Sequence, residues 1–439
     1  MHSIAIRERG PRTRKADGVK LWVLAAVLAS GVWSCARAPQ TEHEASAMGI
    51  DREHLGHLDR VIESAIKNEE TRGAVLLVSW EGQVVWNKAY GRRAVAADSV
   101  QTQSPEQQNG DAGDEATSQT DGENSDGNPA SQDEPMTLDT VFDMASLTKV
   151  MATAPAVMIL VEEGKIALTD RVRDYLPGFE HHGKDSIRLI HLLTHYSGLR
   201  PDVDLDEPWE GYETAIQLGL EEHPVAEPGE RFIYSDINFF LLAEIVRRVG
   251  GMPFEEFCQE RMYRPLGMKD TGFNPPTDLL PRIAPTEPHQ GDMLRGTVHD
   301  PTTRRMGGVA GHAGLFSTAA DVARFASMIL NEGRLDGVRV LSPLAVRAMT
   351  RPQSPFGKPH LRGLGFDIDS PYATLRGDLF EKGSFGHTGF TGTSLWIDPK
   401  TQTSVILLTS RLHPDGRGSV VSLRKKVASV VAASLRNVP

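Results

Sequence analysis

Three short stretches of the chain carry residue types able to perform acyl transfer. The first is Ser146-Leu147-Thr148-Lys149. On a helix, positions i and i+3 share a face, so the lysine amine can reach the serine hydroxyl. A serine hydroxyl is a weak nucleophile and needs a base. A lysine serves only as neutral amine, a form that burial favours by lowering its pKa, and the apolar helix around Lys149 is expected to supply that burial. At the first turn of a helix, free backbone N–H groups also face a developing oxyanion. Alone, the tetrapeptide is common, and a capping serine followed by a surface lysine reads as well.

The second stretch is Tyr234-Ser235-Asp236, between Pro228-Gly229 and an apolar helix beginning near Asn238. A phenol held near a cationic amine can shuttle protons between the serine and a leaving group. Ser235 or Asp236 also reads as the N-cap of that helix, and the two readings are compatible. The third is His387-Thr388-Gly389, opening a late strand. It offers a cation or donor from His387, a hydroxyl from Thr388, and a backbone N–H just beyond Gly389. The missing Cβ of that glycine lets backbone approach a substrate closely. Cys258, in the helical pattern Phe254-Glu255-Glu256-Phe257-Cys258, reads as a small buried hydrophobe, not a nucleophile.

The elements that must position these residues follow from periodicity. Residues 51–71 have apolar side chains at Leu55, Leu58, Val61, Ile62 and Ile66, a helical spacing. Two strands, 74–80 and 83–91, follow with Glu81-Gly82 as their turn. The run from Ser146 to Glu163 is apolar nearly all round, which predicts a buried central helix kinked at Pro155 and stopped at Gly164. Residues 166–345 are mostly helical with long loops. Strands return at 387–398 and 403–410, before an amphipathic helix from about Ser419 to Leu435. Strands at both ends imply an α+β fold: one antiparallel sheet made by both termini, flanked by helices, with a mainly helical region inserted.

In this order and on these elements, the three motifs resemble the serine β-lactamase and penicillin-binding-protein family. The likeness is greatest to class C enzymes, D-alanyl-D-alanine peptidases and their esterase relatives. Phe142-Asp143-Met144-Ala145, Leu192-Leu193-Thr194-His195, Ser197-Gly198-Leu199 and Ile397-Asp398-Pro399 add to the resemblance, which covers about residues 52–437. It implies a β-lactamase/transpeptidase-like fold and an acyl-enzyme on Ser146. Lys149 and Tyr234 would handle protons, and His387 stands where many members carry lysine. Thr388 and Gly389 would border the substrate, with the N–H groups of Ser146 and Phe390 as oxyanion hole. Asp236 replaces a usual asparagine, whose amide would donate to a substrate carbonyl, whereas a carboxylate only accepts. Phe390 follows the glycine where carboxypeptidase-like members have serine or threonine. Both departures disfavour efficient penicillin hydrolysis. Gly296 to Asp300 and Gly307 to Ser317 are similar to the muramoyl-peptide amidase and cell-wall branch, which would put His312 beside the cleft. A metal site of His299, Asp300 and His312 lacks compact ligand spacing, so neither metal nor cofactor is expected.

The implied function is hydrolysis of a peptidoglycan-derived amide or peptide, or of a small ester. A non-catalytic muropeptide-binding wall protein and a weak β-lactamase are the alternatives. The net charge of −11 looks informative about partners. However, ten acidic residues and no Lys or Arg lie between Ala97 and Glu134, and the remainder carries about −1. No basic stripe exists, so nucleic acid is excluded as a partner. The acidic stretch, 97–137, reads as a disordered insertion, poor in apolar residues. Residues 1–38 read as an export signal: basic residues, then an apolar run from Leu21 to Trp33 too short for a stable span. The run leads either to Cys35 as a lipidated membrane tether or to ordinary cleavage at Ala36-Arg37-Ala38. A periplasmic or cell-envelope location is expected from this.

Overall fold

The computed structural model describes residues 49–96 and 133–436. Helix α1 (His57–Lys67) leads into a hairpin of β1 (Gly73–Trp80) and β2 (Gln83–Ala94). Glu81 and Gly82 both have positive φ, the conformation whose twist suits a two-residue hairpin. β3 (Glu134–Pro135) pairs with β2. Five strands come from the other end of the chain: β4 (Leu361–Arg362), β5 (Asp367–Asp369), β6 (Phe385–Thr388), β7 (Ser394–Asp398) and β8 (Thr403–Thr409). They complete an eight-stranded antiparallel sheet in the order β4-β5-β6-β7-β8-β1-β2-β3. The first hairpin therefore docks on the last strand, and the sheet of both termini is observed.

Both sheet faces are covered, which is why β1 is buried throughout and does not alternate with polar residues. Leu76 and Val78 join Trp396 and Leu407 under α1 and the C-terminal helix. Val75 and Leu77 point the other way with Leu395 and Ile406, into the core of the helical region. That region contains α2 (Ala154–Glu162), α3 (Asp236–Gly250), α4 (Ala319–Leu330) and, closing the chain on the opposite face, α5 (Val421–Ala433). Cys258 is buried in a short helix, and burial pushes its thiol pKa up.

The central helix is not one straight rod. A 3-10 turn (Ala145–Leu147) precedes a π-helical turn (Lys149–Thr153), and only then does α2 run regularly. The irregularity falls one turn before Pro155. A proline has no N–H for the carbonyl four residues back, here Met151, and its ring crowds that carbonyl. The widened turn relieves the clash, and the Tyr263 hydroxyl donates to the Met151 carbonyl at 3.4 Å.

The expected insertion is too long at its C-terminal end. Glu134 pairs with Arg93 and Arg295, and Pro135 lies in the sheet, so residues 133–137 belong to the fold. Residues 97–132 and 1–38, including Cys35, lie outside the described residues. At the edges of the former, the Ala96 N–H donates to the Asp133 carboxylate at 3.1 Å. The two ends therefore already meet, and closing them costs little entropy. Replacing residues 97–132 with a short Gly/Ser turn should leave the thermal midpoint within a few degrees of the parent, as read by circular dichroism. A fall of roughly 10 °C or more would show that the segment contributes to the fold.

Candidate active site

The residues before Ser146 are held in an unusual turn. Ala145 has φ +46°, a region a residue with a Cβ rarely occupies. Its N–H donates to Asp143 Oδ1 at 2.8 Å, while Asp143 Oδ2 accepts from the His299 N–H at 2.7 Å. The end of β6 is stapled to the same turn. Thr391 Oγ1 donates to the Asp143 carbonyl at 2.7 Å and Thr393 Oγ1 to the Met144 carbonyl at 3.0 Å. A Cβ on Gly389 would lie 2.1 Å from Thr393 Oγ1 and 2.5 Å from the Met144 carbonyl. Only glycine lets the two segments come this close, which sets Phe390 beside Ser146.

Lys149 is fully buried, and its Nζ meets three acceptors: Ser146 Oγ at 3.1 Å, the His312 carbonyl at 3.0 Å and Asp236 Oδ1 at 2.6 Å. It also lies 4.9 Å from the centre of the Tyr234 ring. Burial presses the lysine toward the neutral form, but Asp236 and Tyr234 overcome this and its pKa is pushed up to about 12. This corrects the expectation of a lysine made neutral by burial: the apolar surroundings are present, but a carboxylate stands inside them. Asp236 pairs with Lys149 through Oδ1 at 2.6 Å and is not among the residues lining the cleft. Ser235 stands at the N-cap of α3 as expected, yet its hydroxyl donates to the Arg200 carbonyl, not to the helix.

Tyr234 is half-buried, its ring centre 4.9 Å from Lys149 Nζ, and it lines the cleft with Ser146. Burial and then Asp236 hold it protonated against the opposing pull of Lys149. His387 faces Tyr234, ring centres 6.0 Å apart, but is not the expected cation. Burial, aided by Arg362 and Lys149, holds its pKa well below the ordinary 6.5. Its Nδ1 lies 2.8 Å from the Thr388 carbonyl, an acceptor only, so Nδ1 carries the proton. Nε2 is therefore a bare acceptor, and it has no protein partner. His312 is corrected as well. Its ring is buried behind the lysine, paired with Asp300 Oδ1 at 2.9 Å, and only its carbonyl reaches the site. Burial opposes charging this imidazole, but Asp300 outweighs it and raises its pKa.

Ser146, Tyr234, His387, Thr388, Gly389 and Phe390 line one cleft of about 420 Å³. Four further lining residues carried no signal in the sequence. Arg362 is wholly buried, its Nη1 3.6 Å from Asp367 Oδ2, and among the described residues Nε and Nη1 have no hydrogen-bond partner. Arg424 donates to the Gly389 and Thr393 carbonyls, Arg411 lies 4.4 Å over the Phe390 ring, and the Tyr372 ring centre is 5.1 Å from that of Tyr234. His195, the last residue of the Leu192–His195 motif, stacks on Tyr234 at 4.4 Å and accepts the Ser235 N–H at 3.0 Å, which fixes the phenol's plane. An arginine outside any motif looks like surface until the fold brings it inward.

The two buried neutral imidazoles have a consequence for stability. Burial lowers the pKa of both His195 and His387 in the folded chain, so below pH 6.5 the unfolded chain binds more protons. Their contribution is complete above that pH and is lost as the pH falls. His387→Gln should therefore flatten the decline of thermal midpoint between pH 6.5 and 5. An unchanged slope in that variant would mean that His387 is not neutral in the fold.

A model of the family described as Beta-lactamase matches residues 58–428. A protein of Salmonella schwarzengrund (strain CVM19633), provisionally named a D-alanyl-D-alanine carboxypeptidase, is 34% identical over 310 residues, 63% of this chain and 71% of its own. Among solved structures, a class C beta-lactamase superposes with TM-score 0.66 at 17% identity, over 88% of this chain and 98% of its own. A family VIII carboxylesterase does so with TM-score 0.63 at 20% identity, over 87% and 98%. At those identities the two structures speak for the fold alone. The family match says more: this chain belongs to the beta-lactamase family and is a serine hydrolase.

Proposed function

We propose that Ser146 is the nucleophile and forms an acyl-enzyme with a peptidoglycan-derived peptide or amide, or with a small ester, which water then releases. The reading rests on one observation: Ser146 lines the cleft with Tyr234, and its Oγ lies 3.1 Å from the buried Lys149 Nζ. In this scheme the N–H groups of Ser146 and Phe390 hold the oxyanion, Tyr234 passes a proton to the leaving group, and Thr388 and Gly389 flank the bound acyl chain. His387, as a neutral acceptor, takes a hydrogen bond from a substrate N–H or O–H.

The cleft lining favours an anionic acyl donor with apolar parts. Arg362, Arg411 and Arg424 supply positive charge, and Tyr372, Phe390 and Val421 supply apolar surface. A peptide with a free carboxylate fits both, in keeping with the name given to the Salmonella relative. The name of the carboxylesterase neighbour keeps a small ester in view. With Phe390 in place of a hydroxyl, a substrate carboxylate falls to the arginines, and the exchange of asparagine for Asp236 ranks β-lactam hydrolysis last. Export guided by residues 1–38, with or without a lipid on Cys35, would bring such an enzyme to its substrate, and mass spectrometry of the mature N-terminus tests this.

A fluorophosphonate probe should label the protein at one site, mapped by peptide mass spectrometry to Ser146. Ser146→Ala should abolish labelling and lower turnover of muropeptides or p-nitrophenyl esters by at least about a thousandfold. Label on another residue, or labelling that survives Ser146→Ala, removes the mechanism. Ordering the rates for muropeptides, esters and a chromogenic cephalosporin decides the substrate class.

A further inference from the structure

The contacts around Lys149 raise a question that the proposed acyl transfer leaves open, namely where the serine proton goes. An ammonium has three N–H donors and no acceptor. The His312 carbonyl accepts one N–H and Ser146 Oγ a second, and the third N–H is left to the ion pair with Asp236 Oδ1, 2.6 Å away. In this arrangement the lysine has no lone pair to turn toward the serine. Nothing swings it out of the way, since it is wholly buried and packed against the Tyr234 and Phe239 rings.

We infer that Asp236 stores the proton that Ser146 loses, and that Lys149 relays it. As Oγ bonds to the acyl carbon, the Oγ proton passes to Nζ while a proton already on Nζ passes 2.6 Å to Asp236 Oδ1. The carbonyl π pair moves to its oxygen, lysine remains an ammonium, and Asp236 becomes neutral. When the bond to the leaving group breaks, Tyr234 gives its proton to the departing atom and regains one from Asp236 through Lys149. Atoms and charge balance without an external base. Asp236 touches no reacting atom and acts through Lys149, as a positioning and proton-storing residue.

The surroundings suit that task. Asp236 opens α3, whose N-terminal N–H groups favour a carboxylate. The charged and titratable groups that face it from the packed elements are Lys149, Tyr234, His312 and Asp202. Asp202, hydrogen-bonded to Thr302 Oγ1 at 2.7 Å, is itself raised to about 6, chiefly by burial. His312, paired with Asp300, has its pKa raised by that carboxylate.

The inference rests on the acyl-enzyme proposed above, and the pH dependence of acylation tests it separately. The rate of Ser146 acylation by a p-nitrophenyl ester is followed from pH 5 to 10 in the full chain and in Asp236→Asn. With the carboxylate present, one proton is shared within the pair, and the rate should stay level across neutral pH. In Asp236→Asn the lysine must lose its own proton, which burial alone makes easier. That variant should be slowed on the order of a hundredfold at pH 6 and should approach the parent rate as the pH rises toward 10. A variant that keeps the parent's pH profile overturns the inference, as does one slowed by the same factor at every pH. Asp202→Asn should keep the level profile, and loss of it there would move the stored proton from Asp236 to Asp202. If even the parent acquires no acyl group on Ser146, the proposed function fails, and this inference with it.

Discussion

The site is organised around a cation that the fold does not let water reach. An ammonium taken from water into an apolar interior loses several kcal/mol of hydration, and only a close set of acceptors offsets this. Lys149 finds three of them on three separate parts of the chain: its own helical turn through Ser146, the start of α3 through Asp236, and the glycine-rich loop through the His312 carbonyl. Moving any of the three leaves a buried charge short of a partner. The lysine thus ties the helical region together at the point where the nucleophile sits. The His312–Asp300 pair behind it is a second tie, fixing the loop whose carbonyl the lysine needs.

The sheet delivers the other half of the site. β6 ends at Thr388, and the turn after it is pinned to Asp143 and Met144 by two threonine hydroxyls. Arg424 of α5 holds the Gly389 and Thr393 carbonyls from the far side. The nucleophile's turn, the β6 edge and the terminal helix are therefore one hydrogen-bonded unit, built from residues nearly three hundred positions apart in the sequence. This explains why a glycine and a left-handed alanine are tolerated there. The surrounding contacts over-determine the backbone, so its strain is absorbed.

Much of this was legible in the residues. The hairpin over 74–91, the apolar helix after Ser146, the late strands and the antiparallel sheet of both termini all followed from periodicity and turn chemistry. The trio of Ser146, Tyr234 and His387 could be read because each lay in a short motif in a suitable context. What escaped the sequence was charge state, which depends on what comes close in three dimensions. Burial of Lys149 was visible in its apolar neighbours, but the arrival of Asp236 beside it, 87 positions along, was not. His387 was read as a cation because a lysine often stands there, while Arg362 and the buried ring environment make it neutral. His312 was put beside the cleft from its glycine-rich neighbourhood, yet Asp300 draws its ring inward. Pro155 signalled an irregular helix correctly, though the strain appears one turn earlier, where the missing hydrogen bond is felt.

The central claim is that this buried lysine and its partners activate one serine toward acyl transfer. Rapid-quench kinetics with a p-nitrophenyl ester, followed by intact and peptide mass spectrometry, tests it most directly. The account predicts a burst of one p-nitrophenol per chain, with the acyl mass confined to the peptide containing Ser146. Product that accumulates without a burst and without any acylated peptide, at a rate untouched by Ser146→Ala, would contradict it.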